Sequence, residues 1–311
     1  MFHDAKVHVV VPAYNVADSV AEVIKGIPPL VDTIVVVDDG STDGTADVVR
    51  ACADPRLVLV RHPANRGVGA AMVTGFREVL RRSDGIAVKI DGDGQMDSGQ
   101  LPRLLAPIVD GRADYAKGNR FLFDRELDVM PRHRLAGNFV LTFLTKLASG
   151  YWNIFDPQNG YLAVHSSVLR RLDLDRIAPR FFFENDMLIN VNVFNVRVVD
   201  VAMPARYGSE RSSMNLGWVL CSFPFLLLRG YWSRFYRKHV LRDFSPVALF
   251  MLTGLSLLAF GTGFGAYTWL TSYLTNQFAS TGTVMLSVLP FILGFQLVLQ
   301  ALVLEIRETP R

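Results

Sequence analysis

The sequence predicts an α/β domain joined to a C-terminal hairpin of two transmembrane helices. Three observations carry that prediction. Short β-branched runs alternate with helical patterns up to about residue 120. Acidic and glycine-rich motifs recur at the carboxyl ends of those runs, where open α/β sheets bind their ligands. A 61-residue stretch, Phe244 to Leu304, has no Asp, Glu, Lys, Arg or His.

The elements follow in order. VHVVVPAYN (7–15) reads as a strand ending in a turn, and 17–26 as a helix. TIVVVDDGS (33–41) is a second strand and turn, with a helix from about Asp43. LVLVRH (57–62) is a third strand, followed by a helix from about Gly67 to Arg82. GIAVKIDGDGQ (85–95) is a fourth strand with an acidic motif at its end. This alternation argues for a parallel sheet covered by helices on both faces. Pro12-Ala13-Tyr14-Asn15, Asp38-Asp39-Gly40 and Asp91-Gly92-Asp93 all fall at strand ends, so three motifs point at one crevice. Residues 121–243 are less regular. Helices are expected from about Arg132 to Ser149 and from about Glu184 to Asn192, and strands over Tyr161–Val164 and 196–203.

The C-terminal end belongs in lipid. Two apolar runs, 246–270 and 283–304, would be roughly 37 and 33 Å long as helices, enough to cross a hydrocarbon core of about 30 Å. Pro290 lies within the second, where membrane helices tolerate proline. Arg229, Arg234, Arg237, Lys238 and Arg242 precede the first run, and Arg307 and Arg311 follow the second. Positive flanks stay in the cytoplasm, so the expected location is the cytoplasmic (inner) membrane, multi-pass, with the head facing the cytoplasm. Residues 216–243 interleave aromatic side chains with cations and read as one or two amphipathic juxtamembrane helices. The expected organisation is a head over 1–215, this segment over 216–243, and the hairpin with a short tail over 244–311.

Charge and cysteine usage exclude other classes. Residues 203–243 carry seven Lys or Arg against two acids, whereas residues 1–202 are slightly acidic. The positive charge is therefore next to the membrane, which fits anionic headgroups and not nucleic acid. Cys52 and Cys221 are isolated, so neither a disulfide nor a zinc site is expected. The first residues lack a charged and apolar leader pattern, so no signal peptide is expected.

The motifs carry a consistent chemistry. On an extended strand, Asp91 and Asp93 point the same way and Gln95 continues that side. Two carboxylates and an amide oxygen suit Mg2+ or Mn2+ bridging a diphosphate. Asp39, at the end of the second strand, can accept hydrogen bonds from a base or ribose. The run Arg66-Gly67-Val68-Gly69 lacks the third glycine and the distal acid of a dinucleotide fingerprint, so NAD is rejected, but Arg66 at a glycine-rich helix start suits phosphate. Further cations lie at Lys117, Arg120, Arg132, Arg134, Arg206 and Arg211.

With VPAYN, VVDDGSTDGT, NRGVGAA, DGDGQMD, KGNRF, DPQNGY and RYGSERSS assembled, the chain resembles a family 2 glycosyltransferase of GT-A (Rossmann-like) fold. More narrowly, it resembles the polyprenyl-phosphate hexose synthases, the group of dolichol-phosphate mannose synthase and bacterial undecaprenyl-phosphate glucosyltransferases. The resemblance implies inverting transfer of one hexose from a nucleotide-sugar, UDP- or GDP-linked, to a polyprenyl phosphate. It implies that Ala13, Asn15, Asp39 and Gly40 line the nucleotide pocket, with Arg66 near the phosphates, and that Asp91, Asp93 and Gln95 hold the metal. Arg120 and Arg134 match basic positions that meet the donor and lipid phosphates, and Arg206 and Arg211 match later ones. Asp156 matches the acid before the turn Asn159-Gly160-Tyr161, where it would orient the acceptor or act as base. Ser213-Met214 stands where the group frequently has Ser-Lys. Two other readings have less support: a polysaccharide-extending synthase, for which further spans and a Gln-x-x-Arg-Trp motif are missing, and a membrane-tethered nucleotide-sugar sensor. A homo-oligomer is compatible with the sequence.

Overall fold

The computed structural model describes residues 5–120, 132–203 and 216–310, with backbone only at 132–138 and 216–221. It divides into two compact units, Met1–Trp232 with Pro310–Arg311, and Ser233–Thr309. The dividing point lies inside the helix Leu216–Phe235.

The first unit is built on a seven-stranded sheet of order β3-β2-β1-β4-β6-β5-β7. Its strands are β1 (Val7–Ala13), β2 (Thr33–Asp38), β3 (Leu57–Arg61), β4 (Ile86–Lys89), β5 (Tyr115–Asn119), β6 (Leu162–His165) and β7 (Val198–Ala202). The helices are α1 (Val20–Gly26), α2 (Thr45–Ala51), α3 (Val68–Arg82), α4 (Leu101–Val109), α5 (Arg132–Ser149), α6 (Ser166–Arg171), α7 (Phe183–Asn192) and the start of α8 (Leu216–Phe235). Alternation along the strands feeds two cores. Val10, Val35 and Val37 pack with Phe76, Val79 and Phe183, while Val9, Val11, Ile34 and Val36 pack with Ile24, Leu101 and Leu104. Strands covered on both faces read as near-continuous apolar runs, as these do.

The parallel sheet holds for β1 to β4, but β6 runs antiparallel to both β4 and β5. That reversal positions the site. The start of β6, Leu162, pairs with Lys89 at the end of β4 and with Lys117 near the end of β5. The turn before β6 therefore arrives at the same edge as the chain leaving β1, β2, β4 and β5. A second difference lies at the acidic motif. β4 stops at Lys89, and Asp91–Gln95 is a turn in which Gly94 has φ +79°. Alternation along an extended strand therefore does not set the directions of Asp91, Asp93 and Gln95.

In α8, Phe223, Leu227 and Tyr231 are buried at a spacing of four. The Phe223 ring meets Phe182 with centroids 5.4 Å apart, and Gly230 lies against Ile189 of α7. This stripe of the expected juxtamembrane helix faces the head. Phe225, Leu228 and Trp232 are exposed.

The second unit holds a π-helical turn (Tyr236–Arg242) and the antiparallel helices α9 (Pro246–Thr275) and α10 (Thr281–Arg307). Both helices are long and apolar enough to cross a membrane. They are longer than the apolar runs in the sequence, and Phe260, Trp269, Tyr273, Phe291 and Phe295 stand exposed along them. At their base Arg234 and Glu305 form an ion pair, both side chains buried.

Candidate active site

The nucleotide side is laced together by short polar side chains. The Ser41 hydroxyl accepts from the Asn15 N–H at 3.0 Å, and the Asn15 amide oxygen accepts from the Thr42 N–H at 2.9 Å. Asn15 adopts a left-handed φ of +53° that asparagine tolerates. Gly40 has φ +76°, and a Cβ there would lie 2.6 Å from the Ala64 carbonyl carbon. Only glycine lets residues 64–65 pass so close to the Asp38-Asp39-Gly40-Ser41 turn. Asp38 is fully buried. Its Oδ1 accepts from the Ser41 N–H at 2.9 Å, and its Oδ2 lies 3.0 Å from Arg61 Nε, close enough for an ion pair but not aligned as a hydrogen bond.

Asp39 is 2% exposed, and its carboxylate is already committed within the protein. It meets His62 Nδ1 at 2.6 Å and accepts from the backbone N–H groups of Arg66 at 3.0 Å and Gly67 at 2.7 Å. His62 Nε2 in turn meets the Thr74 hydroxyl at 2.9 Å. A carboxylate has about four lone-pair sites, and most of these are used. Asp39 thus sets the path of the loop that presents Arg66, which is exposed.

The acidic turn follows β4. Asp93 Oδ1 accepts from the Gln95 N–H at 3.0 Å, and Asp91 Oδ1 lies 2.7 Å from Lys89 Nζ. Among the described residues, no group of three or more His, Cys, Asp or Glu converges on a metal-sized point. Asp91, Asp93 and Gln95 supply hard oxygen donors from one turn, and two carboxylates suit a Mg2+ or Mn2+ ion whose remaining ligands are phosphates and water. The donor set fits such an ion bound together with a diphosphate.

In the turn before β6, Asp156 is 1% exposed and grips Arg120 in a fork, Nε to Oδ2 at 2.8 Å and Nη2 to Oδ1 at 3.1 Å. The Arg120 backbone N–H adds a third bond at 3.2 Å. Both oxygens of Asp156 therefore accept from Arg120. Lys117 is fully buried and donates to the Asn159 carbonyl. Burial pushes it down to about 8 despite the nearby Glu184 and Asp156 carboxylates. Asp200 accepts from Asn119 Nδ2 at 2.6 Å and from the Phe155 N–H at 2.7 Å, and burial pushes it up to about 6. These bonds strap the segment from Phe155 to Asn159 onto β5 and β7.

The structure thus brings Ala13, Asn15, Asp39, Gly40 and Arg66 together at the ends of β1 to β3. It sets Asp91, Asp93 and Gln95 after β4 and pairs Arg120 with Asp156. The side chain of Arg134 lies outside the described residues, as do Arg206 and Arg211. Sequence reasoning missed His62, Lys89, Glu184 and Asp200 as parts of the site, and read Lys117 only as one of the cations flanking it. A lysine inside the apolar run IAVKI was the visible signal for one of them.

Comparison with known proteins identifies the family and the fold. Residues 8–173 match the family described as Glycosyl transferase family 2. A polyprenol monophosphomannose synthase of Mycolicibacterium smegmatis is 33% identical over 64% of this chain and 77% of its own. An undecaprenyl-phosphate mannosyltransferase of Micrococcus luteus is 30% identical over 63% and 82%. A UDP-N-acetylglucosamine-dolichyl-phosphate N-acetylglucosaminyltransferase of Methanococcus voltae is 27% identical over 66% and 87%. In fold, the chain is similar to glucosyl-3-phosphoglycerate synthase of Mycobacterium tuberculosis, solved with Mn2+, UDP and glucosyl-3-phosphoglycerate, with TM-score 0.56, 23% identity, and coverage of 74% of this chain and 80% of that one. With the family model matching more than half of its length and its strand-end motifs gathered at one edge of the sheet, the chain belongs to glycosyltransferase family 2, with the GT-A fold.

Proposed function

We propose that this protein transfers one hexose from a UDP- or GDP-sugar to a polyprenyl phosphate, with inversion at the anomeric carbon. One observation carries the reading: a family 2 glycosyltransferase site and two helices long and apolar enough to cross a bilayer occur in a single chain. The names of its relatives support the same acceptor class. The hairpin anchors the protein in the cytoplasmic membrane with the head on the basic, cytoplasmic side.

The chemistry asks for positioning more than for proton transfer. A phosphate monoester has a second pKa of about 6, so the attacking oxygen is already ionised at neutral pH. It must approach a donor diphosphate of the same sign. Arg120, held by Asp156, supplies a fixed cation for that approach, and Arg134, Arg206 and Arg211 add charge for the lipid phosphate. The acceptor oxygen bonds to the anomeric carbon as the bond to the nucleoside diphosphate breaks. Asp91, Asp93 and Gln95 hold Mg2+ or Mn2+, which when bound offsets the charge growing on that leaving group. Ala13, Asn15, Gly40 and Arg66 bound the nucleotide, with Asp39 fixing the loop that carries Arg66.

The test is transfer by detergent-solubilised protein from a panel of UDP- and GDP-sugars to a polyprenyl phosphate. A single lipid-linked hexose is expected. Turnover only with a soluble phosphorylated acceptor, or only onto a growing glycan, would overturn the proposal.

A further inference from the structure

Beneath the acidic turn sits an ion triad that neither donor nor acceptor binding accounts for. Lys89 is 2% exposed, and its ammonium lies between Asp91 Oδ1 at 2.7 Å and Glu184 Oε1 at 3.2 Å. Glu184 is buried in the first turn of α7, on a different element from either partner. Gly160 closes the triad from a third side: a Cβ there would lie 2.4 Å from Lys89 Nζ and 3.0 Å from Asp91 Oδ2. The ammonium is therefore fixed by three elements, and its position fixes Asp91.

That arrangement poses an electrostatic problem. A carboxylate paired with one ammonium is close to neutral and makes a poor ligand for a divalent cation. Glu184 supplies a second anion, so the triad carries net negative charge and Asp91 keeps part of its own. We propose that Lys89 and Glu184 are positioning residues for the metal turn: Lys89 orients Asp91 through Oδ1, and Glu184 draws enough of the lysine's charge away for Asp91 to bind a divalent cation. The inference rests on the reading of Asp91 as a metal ligand.

The charge argument sets the signs. Glu184→Gln leaves the ammonium to Asp91 alone, and cation affinity falls about ten- to hundred-fold, the range for partners behind a metal ligand. Lys89→Met added to Glu184→Gln removes the competing charge as well, so affinity recovers well above that of the single variant but, with Asp91 no longer oriented, stays within about tenfold below the parent, a strongly non-additive pair. Glu184→Asp keeps the charge and most of the affinity. The experiment titrates Mn2+ into full-length protein in detergent with UDP or GDP, whichever binds the parent more tightly. It reads by calorimetry the Mn2+ concentration that half-saturates nucleotide binding. Parent-like affinity in Glu184→Gln, or a double variant weaker than the single one, overturns the inference; so does a Mn2+-free nucleotide affinity that falls and recovers in step with the Mn2+ affinity, because a merely structural triad also recovers once the stranded ammonium is removed. Should Glu184→Gln fail to fold, a Lys89→Met/Glu184→Gln protein that folds yet binds Mn2+ far more weakly than the parent overturns it equally. Absence of Mn2+-dependent nucleotide binding by the parent itself would instead sink the metal reading, and this inference with it.

Discussion

Replacing Asp156 by Asn separates an acid that acts on the acceptor from one that acts through Arg120. The carboxylate holds the guanidinium by two bonds, at 2.8 and 3.1 Å, and the Arg120 N–H by a third at 3.2 Å. An asparagine oxygen can keep one side of that fork, but its NH2 group turns a donor toward a donor. One charge-assisted bond is lost, on the order of 1.5–3 kcal/mol. If the bond serves to hold Arg120 in line, transfer slows roughly ten- to hundred-fold. Arg120 is 38% exposed, so water keeps it charged and the fold survives. Single-turnover transfer to polyprenyl phosphate should show the loss, while calorimetry should find donor affinity within about threefold of the parent. The decisive comparison uses Arg120→Gln. Once the arginine is gone, Asp156→Asn should add little, since its effect passes through that arginine. A full additional loss in the double variant, or disappearance of the acid limb of the pH profile in Asp156→Asn alone, would make Asp156 a base in its own right and refute the positioning argument.

Other expectations are equally specific. Asp200 has its folded pKa raised to about 6, so it lowers stability once ionised, and stability should fall as pH rises from about 4 to about 6. Asp200→Asn should therefore gain about 1–3 kcal/mol at pH 7 and nothing below about pH 4, as read by thermal unfolding; an equal gain at both pH values would contradict the burial argument. Glu305→Ala strands the buried Arg234 guanidinium and should cost about 3–5 kcal/mol in detergent, with Arg234→Met/Glu305→Met recovering most of it. Asp93→Ala should abolish Mn2+-dependent turnover, and full activity of that variant in EDTA would eliminate the acidic turn as a metal site. Tags at either terminus should be protected from protease in intact cells and a tag near Asn276 should be cleaved, whereas the reverse pattern would invert the proposed orientation.

What the sequence made legible follows from what periodicity encodes. Val7–Val11 and Thr33–Val37 are β-branched runs buried on both faces, and such runs declare a strand without naming its neighbours. Strand direction is not encoded in that way, so the antiparallel β6 was invisible, and with it the reason Asp156 reaches the edge where β4 ends. Helix α4 has apolar residues at 101, 104, 105 and 108, but Pro102 and Pro107 break the helical signal, and the sequence reading passed over the element. The acidic motif was found for its residue types, while its geometry came from glycine: Gly94 at φ +79° turns the chain where alternation had implied an extended strand. The same limit explains Asp39. A conspicuous acid at a strand end reads as a ligand for substrate, yet its partners, His62 and the N–H groups of Arg66 and Gly67, are separated from it by 23 to 28 residues and meet it only in the fold. The charges that sequence reasoning passed over share one property. Lys89, Glu184 and Asp200 are covered or nearly so, each compensated by a group from another element. An uncompensated charge at such depth would cost several kcal/mol, so each of these residues commits two elements to one relative placement. At this edge of the sheet the residues proposed to touch substrate are legible as motifs. The residues that hold them in register are legible only as anomalies, charges in places where the local pattern calls for none.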